Sequence, residues 1–188
     1  MAAALPTAHW SDAEVLAELA TVVSNSLRVD AARVVPDATF TSLGAESLDL
    51  VEITLDVEAA FGVLWPEHHV LDVAREALGD GVVTDAAGAI TTEGLALLQD
   101  RLPASAWASL PMPPTVRDVT AAFLRIDVWV HVIRMLLEAA PRTCTACGQA
   151  LVLGSPARLA CRACKVEVDL PAGDDVNREW IRRWKAGR

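Results

Sequence analysis

The sequence predicts a mainly α-helical chain that ends in a small metal-bound β unit, and three observations carry this. Apolar residues recur at three- and four-residue spacing behind capping signals over most of the first 140 residues. All four cysteines lie in the last quarter, as two Cys-x2-Cys pairs. Charge divides at the same place: residues 1–140 hold 7 Lys+Arg against 20 Asp+Glu and residues 141–188 hold 9 against 5, so about −13 and +4 make up the net −9. The expected division is a helical domain over about 8–140 and a cysteine-bearing domain over about 141–188.

Each element has a local reason. Ser11 with Glu14 three residues later forms a capping box before Val15, Leu16, Leu19, Val22 and Val23, giving a first helix to about Leu27. A polar loop over 28–44 follows, with Val34, Val35, Phe40 and Leu43 as its expected anchors into the core. Ser47 opens a second helix over 48–61, with Gly62 as its C-cap. Leu50, Ile53, Val57 and Phe61 face inward, while Leu48, Val51 and Leu55 form a second apolar line among Glu46, Asp49, Glu52, Asp56 and Glu58.

Shorter helices are expected around 70–78 and 92–102, separated by a Gly-rich break over 79–88. Pro111, Pro113 and Pro114 precede one long helix over 116–140, whose wide stripe suits either a buried core helix or a self-association face. A last helix over 177–185 carries Trp180, Ile181 and Trp184 on one side, amid Arg178, Arg182, Arg183 and Lys185. Those tryptophans suit packing on the rest of the chain, docking on an acidic surface, or a weak RNA contact. His68, His69, His9 and His131 read as structural.

With 53% hydrophobic residues in 188, the chain can bury a substantial core. Its acidic excess disfavours broad contact with nucleic acid or anionic membrane and favours cationic partners. No membrane span and no secretion signal are expected, which implies a cytoplasmic protein. In that reducing compartment the cysteines point to metal rather than disulfides.

The run Phe40-Thr-Ser-Leu-Gly44-Ala-Glu46-Ser47-Leu48-Asp49-Leu-Val51-Glu52, continuing to Phe61-Gly62, resembles the prosthetic-group segment of acyl carrier proteins. The resemblance covers about 8–65 and 115–126, and it implies a carrier-type helical bundle in which Ser47 is the attachment point of 4′-phosphopantetheine. It also implies that Glu46, Leu48, Asp49, Val51, Glu52, Leu55 and Asp56 form the docking surface for a phosphopantetheinyl transferase and for acyl-processing enzymes with basic surfaces. The chain departs from the family in having Glu46 where Asp is usual, Ala59 and Ala60 where acids are common, and an insertion over about 67–114. Only in position is that enlargement similar to the one in specialised carriers of very long fatty acids for lipid A.

Cys144 with Cys147 and Cys161 with Cys164 are separated by a thirteen-residue spacer that accommodates a short hairpin, 151–153 returning through 158–160. Four thiolates call for tetrahedral Zn²⁺ in a closed structural site, and the pattern resembles a zinc ribbon. The expected function is a non-catalytic carrier in fatty-acid, polyketide or specialised lipid synthesis. The alternative is a non-carrying scaffold that keeps the carrier fold and binds partners through the ribbon. The charge contrast also suggests that the basic tail folds back on the acidic helix that begins at Ser47, where its deletion would strengthen docking.

Overall fold

A computed structural model describes residues 10–79, 81–155 and 157–187; His9 and the first residues lie outside this range. Helix α1 (Asp12–Leu27) begins at the expected box: Glu14 Oε2 accepts the Ser11 N–H at 2.8 Å, and Ser11 Oγ accepts the Glu14 N–H at 3.3 Å. It packs on α2 (Ser47–Phe61) and on α7 (Ile126–Ala139). Between α1 and α2 the loop sinks Val34, Phe40 and Leu43 into the core. Val35, expected to join them, is 43% exposed, because it sits at the turn where its carbonyl accepts the Ala38 N–H.

The stretch expected as an insertion, about 67–114, forms α3 (Val70–Leu78), α4 (Thr92–Arg101) and α5 (Ala104–Ala108), the last unannounced by any sequence signal. The single long helix expected over 116–140 is two: α6 (Val116–Ala122) and α7. The break at 123–125 is offset by the distant loop, since Phe40 N–H donates to the Leu124 carbonyl and Ile126 N–H to the Ala38 carbonyl, each at 3.0 Å. Trp129 Nε1 donates to the Phe123 carbonyl at 2.9 Å. Satisfying those groups from elsewhere in the chain removes the usual cost of interrupting a helix. Helix α7 is a core helix, with Ile126, Val128, Trp129, Val130, Val132, Ile133 and Leu136 buried. Trp129 packs between Phe40 (centroids 4.4 Å apart) and Trp65 (4.3 Å).

Beyond α7 the chain forms an antiparallel sheet of β1 (Leu151–Ser155), β2 (Arg158–Cys161) and β3 (Glu167–Asp169), in that order. The first two strands pair Leu151 with Cys161 and Leu153 with Leu159, which is the expected hairpin. The ribbon has its own small core of Ala140, Cys144, Leu151, Leu159, Cys161 and Leu170.

Helix α8 (Gly173–Ala186) corrects two expectations. Grouped with the ribbon by sequence, it returns to the helical body, where Ile181 is 1% exposed within the main core and Val176, Trp180 and Trp184 pack beside it. Nor does it lie along the acidic helix: its main neighbour is α3, with further packing on α7. Arg178 pairs with Glu76 at 3.8 Å, Trp180 Nε1 donates to Asp100 Oδ2 at 3.0 Å, and His68 Nδ1 meets Asp174 Oδ2 at 2.6 Å. The reason is apolar: the Trp180, Ile181 and Trp184 face needs a buried partner, and the apolar line of α2 is not the one it covers. At its first residue α8 approaches backbone closely; a Cβ on Gly173 would stand 2.4 Å from Pro66 N and 2.8 Å from the Leu64 carbonyl oxygen. Gly173→Ala is therefore expected to cost about 1–3 kcal/mol in urea denaturation, through overpacking against backbone that cannot yield.

Among the described residues, no helix is long and apolar enough to cross a membrane.

Candidate functional site

The head of α2 is built by a turn over 41–43 that ends at Gly44, followed by Ala45 and by Glu46 in extended conformation. Sequence reading treated Ser47 as the residue opening the helix, where a serine would ordinarily serve as N-cap. Instead Glu46 is the N-cap residue, its N–H donating to Asp49 Oδ2 at 2.7 Å, and Ser47 is the first residue inside the helix. Its side chain is exposed beside the unpaired N–H groups of the first turn. A phosphodiester on that oxygen would sit at the positive end of the helix dipole.

Along the same helix Leu48 is 84% exposed and Val51 and Leu55 each 60%, so three large apolar side chains form one outward stripe. Glu46 and Glu52 lie exposed beside it. Other acids are partly engaged elsewhere: Asp56 accepts from Ser26 Oγ at 2.9 Å, and Glu58 accepts the Trp65 N–H at 2.7 Å. The inner line, Ile53, Val57 and Phe61, is buried, so α2 presents two unlike faces.

The four cysteines converge. Their sulfurs all lie within 4.8 Å of one another, with Cys144 to Cys164 at 3.5 Å, Cys147 to Cys161 at 3.4 Å and Cys147 to Cys164 at 3.5 Å. Tetrahedral zinc with Zn–S bonds of about 2.3 Å sets its sulfurs about 3.8 Å apart, so the cluster has the size such an ion needs. The two knuckles repeat one turn: Gly148 N–H donates to the Cys144 carbonyl at 2.8 Å, and Lys165 N–H to the Cys161 carbonyl at 2.9 Å. Backbone N–H groups aim at the sulfurs; the N–H of Cys164 is the largest cause of a Cys161 thiol drawn down to about 6, and that of Ala146 leads in lowering Cys144. These groups favour the thiolate at Cys144 and Cys161, whereas at Cys147, pushed up to about 12, and at Cys164, also raised, hydrogen bonds with the neighbouring sulfurs outweigh the N–H groups of Gln149 and Val166; a cation at the centre would draw all four to the thiolate, the metal-ligating form.

At the equivalent turn position Gly148 has φ 71° and Lys165 φ 63°. Only the first is a residue suited to that conformation, so Lys165→Gly is expected to stabilise the ribbon by about 1 kcal/mol, read as a raised denaturation midpoint.

His68 and His69 are not on a helix but precede one. His68 is held by Asp174, whose hydrogen bond raises its pKa, and His69 caps α3 by accepting the Leu71 N–H at Nδ1, 3.2 Å away. Sequence reading missed the buried polar group formed by Arg101 and Asn177. Arg101 closes an ordinary amphipathic helix and Asn177 lies in another, so only their burial, a tertiary property, distinguishes them.

The family model described as "Phosphopantetheine attachment site" matches residues 17–75, a span that contains the whole of α1's latter part, the loop, α2 and the start of α3. An acyl carrier protein of Helicobacter pylori (strain G27) is 45% identical over 66 residues, which is 35% of this chain and 82% of that relative. The protein of strain HPAG1 gives the same figures, 45% over 66 residues. An acyl carrier protein of Guillardia theta is 38% identical over 58 residues, 30% of this chain and 72% of its own length. No solved structure matches. With a phosphopantetheine attachment domain on α1 and α2, and relatives covered over most of their length, the chain belongs to the acyl carrier protein family.

Proposed function

We propose that Ser47 carries 4′-phosphopantetheine and that the protein is a carrier, not a catalyst, delivering acyl groups to enzymes of fatty-acid, polyketide or specialised lipid synthesis. The observation that carries this is the position of Ser47: exposed, first in α2, and relieved of capping by Glu46 and Asp49. When attached, the arm supplies a terminal thiol that holds an acyl group as a thioester. The chain's own part is to place the anchoring oxygen at the N-terminal end of a helix, where the phosphodiester charge is favoured, and to keep it in reach of solvent.

Leu48, Val51 and Leu55, with Glu46, Asp49, Glu52 and Asp56 beside them, form the docking face for the transferase and for acyl-processing enzymes presenting Arg or Lys. A stripe of this kind gains apolar burial on contact and charge-steered encounter before it. Zinc is the metal we assign to the four thiolates, in a structural role: a closed shell leaves no place for substrate, and the ribbon's own core is six residues.

The test is to incubate the full chain with coenzyme A and a broad-specificity phosphopantetheinyl transferase and to take an intact mass. Gain of a single arm supports the carrier reading; failure to gain one favours the non-carrying scaffold.

A further inference from the structure

The four cysteines of the ribbon are not equivalent. Cys144 is 2% and Cys161 1% exposed, whereas Cys147 and Cys164 are exposed. Each knuckle thus supplies an inner and an outer cysteine. The outer two meet across the knuckles, with Cys147 Sγ 3.5 Å from Cys164 Sγ. Distance alone does not single out this pair, since Cys147 lies 3.4 Å from Cys161 and Cys164 lies 3.5 Å from Cys144. Exposure does, because each of those alternatives includes a buried cysteine.

Hydrogen bonding follows the same division. The Cys144 sulfur accepts from the N–H groups of Ala146 and Cys147, and the Cys161 sulfur from those of Cys164 and Ala163. For the outer sulfurs the backbone donors are Gln149, toward Cys147, and Val166, toward Cys164. N–H donors draw charge from a thiolate and with it nucleophilicity, so the outer pair is the more reactive once all four are thiolates.

The charges around the outer pair point the same way. Arg162 and Lys165 flank Cys164 in sequence, are exposed, and form no ion pair among the described residues. The nearest acids in sequence, Glu167 and Asp169, are both engaged by Arg158, each at 3.0 Å. Exposed thiolates in electropositive surroundings are the ones that oxidants reach.

We propose that Cys147 and Cys164 are an oxidation site for hydroperoxides, where a disulfide formed between them releases the metal and opens the ribbon. This rests on the zinc assignment above and adds a substrate class to that site. In the first step the Cys147 thiolate attacks a peroxide oxygen: an S–O bond forms, the O–O bond breaks, and hydroxide leaves. The Cys164 thiolate then attacks the oxidised sulfur, forming the S–S bond and expelling the second hydroxide. Two protons from solvent turn both hydroxides into water. The sulfur pair has lost two electrons and the peroxide has gained them.

Cys144 and Cys161 then remain as the only thiolates, too few for a tetrahedral site. The small core around Leu151, Leu159 and Leu170 is left without its staple. Leu64, which follows α2 and packs against that core, connects the event to the carrier part of the chain.

The test uses the zinc-loaded full chain, with its metal content read by elemental analysis before an equimolar amount of hydrogen peroxide is added. Release of the ion to a chromogenic chelator is expected, and peptide mapping should show Cys147 joined to Cys164. A dithiol with added zinc should restore the starting state. Brief alkylation of the zinc-loaded chain should label Cys147 and Cys164 severalfold faster than Cys144 and Cys161. A chain that holds no zinc before peroxide is added overturns the metal assignment and this proposal with it. Zinc that is bound but retained under peroxide, a disulfide joining any other pair, or equal alkylation of all four cysteines overturns the proposal alone and leaves the metal assignment standing.

Discussion

Ser47→Ala is expected to abolish loading by the transferase while moving the melting temperature by no more than about 2 °C, the scale of a surface substitution that removes no structural bond. The two halves of this prediction rest on one feature of α2. A serine at the head of a helix is in general a capping residue, and its loss costs about 1 kcal/mol. Here the capping is done around it: Glu46 precedes the helix and Asp49 accepts the Glu46 N–H at 2.7 Å. Asp49→Ala should accordingly lower stability by about 1 kcal/mol, while the neighbouring Ser47 substitution does not. Mass spectrometry of the loading reaction and thermal melts of the two variants check both halves together. A Ser47→Ala protein that melts as low as Asp49→Ala would make the serine a structural residue.

Metal removal is the second large effect. The full chain is expected to hold a single zinc ion per molecule, bound through Cys144, Cys147, Cys161 and Cys164. Binding that favours the folded ribbon by about 4 kcal/mol, the linkage of a ligand at a thousand times its dissociation constant, is worth about 10 °C in melting temperature for a chain of this size. A chelator, or Cys161→Ser, should lower the first transition by about that amount, with elemental analysis confirming loss of the ion. Loading at Ser47 should survive, because α1 packs on both α2 and α7 without the ribbon. Helix α8 should also stay largely in place, held by the burial of Ile181 and by contacts of Arg178 and Trp180 with α3 and α4. If the chain binds no zinc, or its melting curve is indifferent to chelation, the four sulfurs are not a metal centre.

What the amino-acid order disclosed, and what it hid, follows from the range of the interactions involved. The start of α1 was legible because its capping box, Ser11 with Glu14, is complete within four residues. The knuckles and the hairpin between them were legible because the spacing of the cysteines already limits their geometry. The stripe of Leu48, Val51 and Leu55 could be read as a second apolar line, and its exposure follows from the first line taking the core. By contrast, the split between α6 and α7 depends on hydrogen bonds from 38–40, more than eighty residues earlier, while the three- and four-residue periodicity runs through the break unchanged. The placement of α8 was hidden for a similar reason. An amphipathic face says that a helix needs a partner, and charge suggested α2, but the apolar face packs on α3 and α7, and Gly173 closes on the backbone of 64–66. Arg101 gave no signal, since nothing local in its helix indicates that its charge would be enclosed.

The central claim is that Ser47 anchors the arm, and the most direct measurement is a fragmentation spectrum of the enzymatically loaded full chain that assigns the added group to a residue. The account predicts a peptide containing Ser47 that carries the phosphopantetheine and releases it characteristically on activation, with every other serine and threonine unmodified. An arm located on a different residue, or a loaded mass that persists in Ser47→Ala, would contradict it.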